Sequence, residues 1–232
     1  MFAVGHMSIA YLLGKVSSKA LHTKINIPVL LVLSILPDID ILFDLVAGTS
    51  IHRGPTHSII VAFLVFIPVF IYLGKRAIPY FLALISHSLL ADFFIGGDLQ
   101  LLWPLSGNVF GFHELGGYYV SILSSINMVT EMLLFVAAIM VLYKSGDWKV
   151  FFKADKTSLV LIIPIVTVLL PSTIGYPFSE SLLLREPTLA IAHLVYLALF
   201  TVATLKTLYW IYTQRFSSAA TQQRSVQRQN YK

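Results

Sequence analysis

Residues 58–94 read SIIVAFLVFIPVFIYLGKRAIPYFLALISHSLLADFF. Two apolar stretches, Ser58–Gly74 and Ala77–Phe94, flank the basic pair Lys75 and Arg76. Each approaches the roughly 20 residues that a helix needs to cross the hydrocarbon core of a bilayer. A helix is the expected form, because it pairs its own backbone groups where no water can. Further stretches of this kind are Pro28–Ala47, Ile122–Tyr143, Thr157–Tyr176 and Thr188–Tyr212. Pro28–Ala47 is the weakest, since it holds Asp38, Asp40 and Asp44. Phe2–Gly14 is short for a span and suits a re-entrant or partly inserted helix. It lacks the basic start of a secretory signal, so it is expected to be retained. The expected fold is all-α: a polytopic transmembrane helix bundle with about six spans plus a short N-terminal helix.

Composition agrees. Of 232 residues, 57% are hydrophobic and only 12% charged, where soluble domains carry about 25% charged residues. The mean hydropathy is +0.81. One soluble core of this size cannot bury so much apolar surface. The chain has no cysteine, which excludes disulfides, thiolate nucleophiles and Cys-ligated metals. The net charge of +5 is spread in short clusters between apolar stretches, so no nucleic-acid footprint is expected. Three regions are expected: 1–121 with the chemistry-bearing motifs, 122–212 with further helices of the same bundle, and 213–232 as a disordered polar tail.

The basic clusters are Lys15, Lys19 and Lys24; Lys75 and Arg76; Lys144, Lys149, Lys153 and Lys156; and the tail with Arg215, Arg224, Arg228 and Lys232. Basic loops prefer the cytoplasm. Six spans after residue 27 put every cluster on that side and loops 48–57, 95–121 and 177–187 on the other. His52, His57, His87, Asp92, Asp98, His113 and Glu114 then gather toward the non-cytoplasmic face, with His6 beside them. The histidines and acids took no part in setting that topology, so their convergence is an independent observation. Ionisable groups at membrane depth are costly and mark function. Pro37 interrupts helical hydrogen bonding beside Asp38 and Asp40, and an unwound segment there is tolerable only if it lines a polar cavity.

Imidazoles mixed with carboxylates suit zinc, manganese or iron. One ion, or two about 3.5–4 Å apart, would polarise an ester or phosphoester and acidify water. Arg53 could hold a phosphate oxygen pair in a bidentate fork. His87 and Asp92 are five residues apart, whereas neighbours on an α-helical face are three or four apart. A π-bulge or a helix ending near Asp92 would bring them together; otherwise Asp92 orients a ligand histidine. His193 and Glu131 read as interhelical hydrogen-bond partners, and His22 as solvated among lysines.

The series GH at His6, LPDID at 36–40, HRGPTHS at 52–58, SHSLLAD at 86–92 and LLWPL at 101–105 resembles the YdjM-type membrane-bound, metal-dependent hydrolases, over roughly residues 1–105. The resemblance implies a multi-pass membrane protein with hydrolase activity and a divalent metal. It matches His6, Asp38, Asp40, His52, His57, His87 and Asp92.

The resulting expectation is a plasma-membrane metal-dependent hydrolase acting on an ester or phosphoester of a membrane lipid or other amphipathic substrate. Asp38, Asp40, His57, His87 and Asp92 would hold the metal, zinc first and manganese second. His52 or His6 would complete the shell or move protons. Arg53, His113 and Glu114 would contact substrate. Two other readings stand beside it: an ion or proton pathway, and a scaffold stabilised by a structural metal.

Overall fold

The computed structural model describes residues 1–49, 51–175 and 181–230, with side chains through Gln214 except that of Leu45. Tyr176 and loop residues 177–180 lie outside the described residues, as do Tyr231 and Lys232. The described residues are helical, apart from turns and one isolated antiparallel bridge, Leu99 with Phe110.

Among the described residues, four helical runs are long and apolar enough to cross a membrane: Ile59–Asp92, Ser125–Ser145, Lys156–Ile174 and Pro187–Gln214. The first takes in two expected spans. Helix α4 (Ile59–Leu73) stops at Gly74, whose φ of 55° places it in the left-handed half of backbone space that glycine tolerates. Helix α5 (Ile78–Ser86) then folds back, so that Phe66 and Phe70 pack against Phe81 with ring centroids 5.3 Å apart in each case. Only 6% of this run's most apolar window is buried within the protein. Lipid is therefore the environment its side chains require.

The expected span Pro28–Ala47 is not one helix. It divides into α2 (Ile27–Leu33), a tight turn at Leu36–Ile39, and α3 (Asp40–Ala47). Four runs thus stand where six spans were expected: the first run takes in two of them, and Pro37 cuts this segment.

The N-terminal helix α1 (Ala3–Ala20) is longer than expected and central. It packs on α2, on α5 and on α6 (Ser125–Ser145). Val4, Met7 and Tyr11 join Leu31, Ala138, Phe151, Leu169 and Phe200 in one core that draws on both halves of the chain. The C-terminal helix runs from Pro187 to Asn230.

Candidate metal centre

Pro37 builds one wall of the site. Proline offers no N–H, and the next N–H, that of Asp38, turns to the Ile35 carbonyl at 3.0 Å in a tightened turn. The Ser34 carbonyl, which an unbroken helix would have paired with Asp38, is released. The Nδ1 of His87 takes it at 2.7 Å. That bond places the His87 proton on Nδ1, so the lone pair of the neutral ring lies on Nε2. The same turn aims the buried Asp38 carboxylate inward.

The stretch HRGPTHS supplies the second wall. Pro55–His57 form a tight turn, and Ser58 caps α4 by accepting from the N–H groups of Ile60 and Val61. His57, ahead of that cap, is buried and faces His87.

A π-turn supplies the third. Over His87–Asp92 the helix widens, and the Phe93 N–H reaches the Ser88 carbonyl at 2.9 Å. One extra residue per turn puts positions five apart on one face. His87 Nε2 and Asp92 Oδ2 end 3.5 Å apart, as the spacing required.

Asp38, His57, His87 and Asp92, all buried, therefore converge. Their facing atoms are 3.1 Å apart for the two Nε2 atoms, 3.2 and 3.6 Å from Asp38 Oδ1 to His87 and His57, and 3.5 and 3.7 Å from Asp92 Oδ2 to the same nitrogens. A tetrahedral ion with bonds near 2.0–2.1 Å needs ligand atoms about 3.3 Å apart. Two carboxylates also balance a divalent charge. The four residues fit a zinc-class ion in spacing, sign and donor type.

Asp40, expected as a ligand, sits behind this shell. Its Oδ2 faces the far nitrogen of His57, Nδ1, at 3.4 Å and accepts from the Thr56 hydroxyl at 2.5 Å. Thr56 Oγ1 is in turn 3.1 Å from His57 Nδ1. The other oxygen, Oδ1, holds His52 Nδ1 at 2.9 Å. Asp40 thus orients two histidines. It also forms a second candidate metal group with His52 and His57, through the nitrogen of His57 that points away from the first.

His57 lies ahead of the first spanning run, and its charge state follows from these neighbours. Burial would push its imidazolium down; the carboxylates of Asp38 and Asp40, with Asp92 behind, overcome this and raise it to about 9. Without metal, His57 therefore carries the proton between the two Nε2 atoms, where an ion would otherwise sit.

His6 braces the site from α1. Its ring stacks on His87 at 3.9 Å, and its Nε2 lies 3.3 Å from Asp92 Oδ1 and 3.1 Å from the Met1 carbonyl. The Met1 ammonium is 3.0 Å from the same Asp92 oxygen. The buried Nδ1 of His6 has no hydrogen-bond partner among the described residues.

Arg53 is held in an uncommon backbone conformation, φ 67°. Its carbonyl accepts from Gln100 N–H at 3.1 Å and its Nη1 donates to the Gly97 carbonyl at 2.7 Å. The guanidinium lies so close to Gly96 that a Cβ there would be 2.5 Å from Nη2. His113 and Glu114 lie apart from the buried four, grouped with Asp98 on loop 95–121; His113 Nε2 is 3.4 Å from Asp98 and 3.2 Å from Glu114. A cavity of about 100 Å³ is lined by Asp38 and Asp92 and by His52 and Arg53.

Two supports were outside the sequence reading, the Ser34 carbonyl and the Thr56 hydroxyl. The signal for the first was Pro37, three residues on. Glu131 and His193 are the interhelical partners expected of them. Glu131, buried in α6, accepts from the N–H groups of Phe2 and Gly5 at 2.6 and 3.1 Å and so caps α1 from a neighbouring helix. His193 Nε2 donates to the Leu169 carbonyl at 2.7 Å.

A family model described as YdjM inner membrane protein matches residues 1–211. The chain belongs to that family and is a membrane protein. No curated protein matches it, and no solved structure does.

Proposed function

We propose that this member of the YdjM inner membrane protein family is a metal-dependent hydrolase of ester bonds, with phosphoesters its first substrate class. The observation that carries the reading is the cavity beside Asp38 and Asp92. A four-residue metal site sealed on all sides would be structural; this one has an approach, and His52 and Arg53 line it. The charge-derived topology supports six spans, with the site on the non-cytoplasmic face.

Asp38, His57, His87 and Asp92 would hold the ion, zinc first and manganese second. When bound, such an ion supplies Lewis acidity and stabilises developing negative charge. The remaining roles fall to side chains. Arg53 pairs with the substrate anion. Asp40 fixes His52 with its proton on Nδ1, leaving Nε2 to accept a proton from water. The water oxygen bonds to phosphorus, the ester P–O bond breaks, and His52 returns its proton to the departing alkoxide, which leaves as an alcohol. The other water hydrogen stays on the new phosphate oxygen.

Metal content of the purified protein is the first test, and release of nitrophenol from bis(p-nitrophenyl) phosphate the second. His57→Ala and His87→Ala are expected to lose both metal and turnover while staying folded in detergent. Full metal occupancy in both variants would sink the site. Bound metal with no turnover of phosphate or carboxylate esters would favour a structural ion.

A further inference from the structure

His52 and Arg53 line two neighbouring cavities that differ in character. The first, of about 100 Å³, is lined by Asp38 and Asp92 and by an apolar wall of Phe2, Ile41, Ile122 and Val168. Val168 belongs to the spanning run Lys156–Ile174, and Ile122 lies just ahead of the run Ser125–Ser145. The second, more polar and of about 320 Å³, is lined by Gly54, Asp98 and Gln100 together with Ile51 and Val109. Arg53 is fixed at the junction by the Gly97 carbonyl and the flat face of Gly96.

A wholly polar substrate would leave the apolar wall wet, and a wholly apolar one would strand the guanidinium. From this juxtaposition we infer that the site binds an amphiphile: an acyl or alkyl tail along Ile122 and Val168, a phosphate or phosphonate oxygen pair on Arg53, and any polar head in the outer cavity. This rests on the hydrolytic reading for its place at the metal, but binding tests it without turnover. Burial of each added methylene against the wall favours the longer ligand, and loss of the bidentate fork removes the preference for an anion.

The probes are octylphosphonate, ethylphosphonate and octyltrimethylammonium, titrated calorimetrically into the zinc-treated protein in nanodiscs, with empty nanodiscs as blank. Octylphosphonate is expected to bind at least tenfold tighter than either of the others. Val168→Trp fills the tail chamber and brings the octyl-to-ethyl ratio to about one. Ile122→Trp, in the same cavity lining, does the same should the first variant not fold. Arg53→Gln removes the preference of octylphosphonate over octyltrimethylammonium. Equal binding of the octyl and ethyl phosphonates, no binding of either, or a wild-type ratio in a folded tryptophan variant overturns the inference. Tight octylphosphonate binding without turnover of any ester upholds it and removes the hydrolytic reading alone. Hydrolysis of short and long phosphoesters at equal rate, with no tail preference in binding, does the reverse.

Discussion

Replacing Asp40 with asparagine separates orienting a ligand from being one. Asp40 contacts the far nitrogen of His57, accepts from Thr56 and holds His52 Nδ1 at 2.9 Å. Loss of such an outer partner costs about 10–100-fold in metal affinity. Asparagine keeps one acceptor oxygen, which places the expected loss near tenfold, or about 1.4 kcal/mol. Asp38 faces both Nε2 atoms. Zinc sites worth about 10–16 kcal/mol spread over four ligands assign each roughly 2.5–4 kcal/mol, so Asp38→Ala should cost on the order of 100–1,000-fold. Chelator competition on the purified variants measures both. At saturating zinc a second difference is expected. Asparagine at 40 can present an N–H to His52 and reverse its tautomer, so turnover should fall far more than metal affinity does. An Asp40→Asn variant that loses zinc as completely as Asp38→Ala would refute the assignment and return Asp40 to the metal.

Zinc affinity should rise with pH. His57 without metal is protonated up to about 9 and an ion must displace that proton, so affinity should climb about tenfold per pH unit from 6 to 8; a flat profile contradicts the geometry. The same raised imidazolium stabilises the metal-free fold by about 3 kcal/mol below pH 6.5, a contribution lost as pH rises through 9, so the metal-free protein should melt lower at pH 9.5 than at 6.5. Glu131→Ala removes the carboxylate that accepts from the Phe2 and Gly5 N–H groups. It should cost about 1–3 kcal/mol, seen as a lower melting temperature in detergent, with Glu131→Gln milder; a wild-type melt for the alanine variant would dismiss the cap. Gly96→Ala drives a Cβ into Arg53 and should raise KM for a phosphodiester as Arg53→Gln does, with zinc content intact. Unchanged KM would mean that Arg53 does not hold the anion.

The lipid-facing helices were legible because their evidence is composition. Ser58–Gly74 carries no charge over a bilayer's thickness, and no fold of its own could bury that surface. Span number was less so. Pro28–Ala47 has the length of a span, but what Pro37 does to it depends on whether another group takes the carbonyl it frees, and that group, His87, is 53 residues away. Helix α1 misled in the opposite sense. Gly5, Ser8, Ala10 and Gly14 lower its hydropathy, yet these small buried residues are what lets neighbouring helices approach it.

Within the site, spacing said more than residue type. Asp38 and Asp40 are two apart on a helical turn, roughly 200° around the axis, so they do not face one ion together. That geometry could have demoted one of them from sequence, though not chosen which, because the choice depends on the rotation of α3 after the Pro37 break. His87 and Asp92 posed the converse case. Five residues forbid a shared α-helical face, and the protein resolves this with a π-turn. Widened turns are rare and concentrate at functional sites. Here what the turn adds is the meeting of one imidazole with one carboxylate. Two departures from regular helix, at Pro37 and at His87–Asp92, thus converge on the same His87 side chain, one fixing its proton and the other supplying its partner.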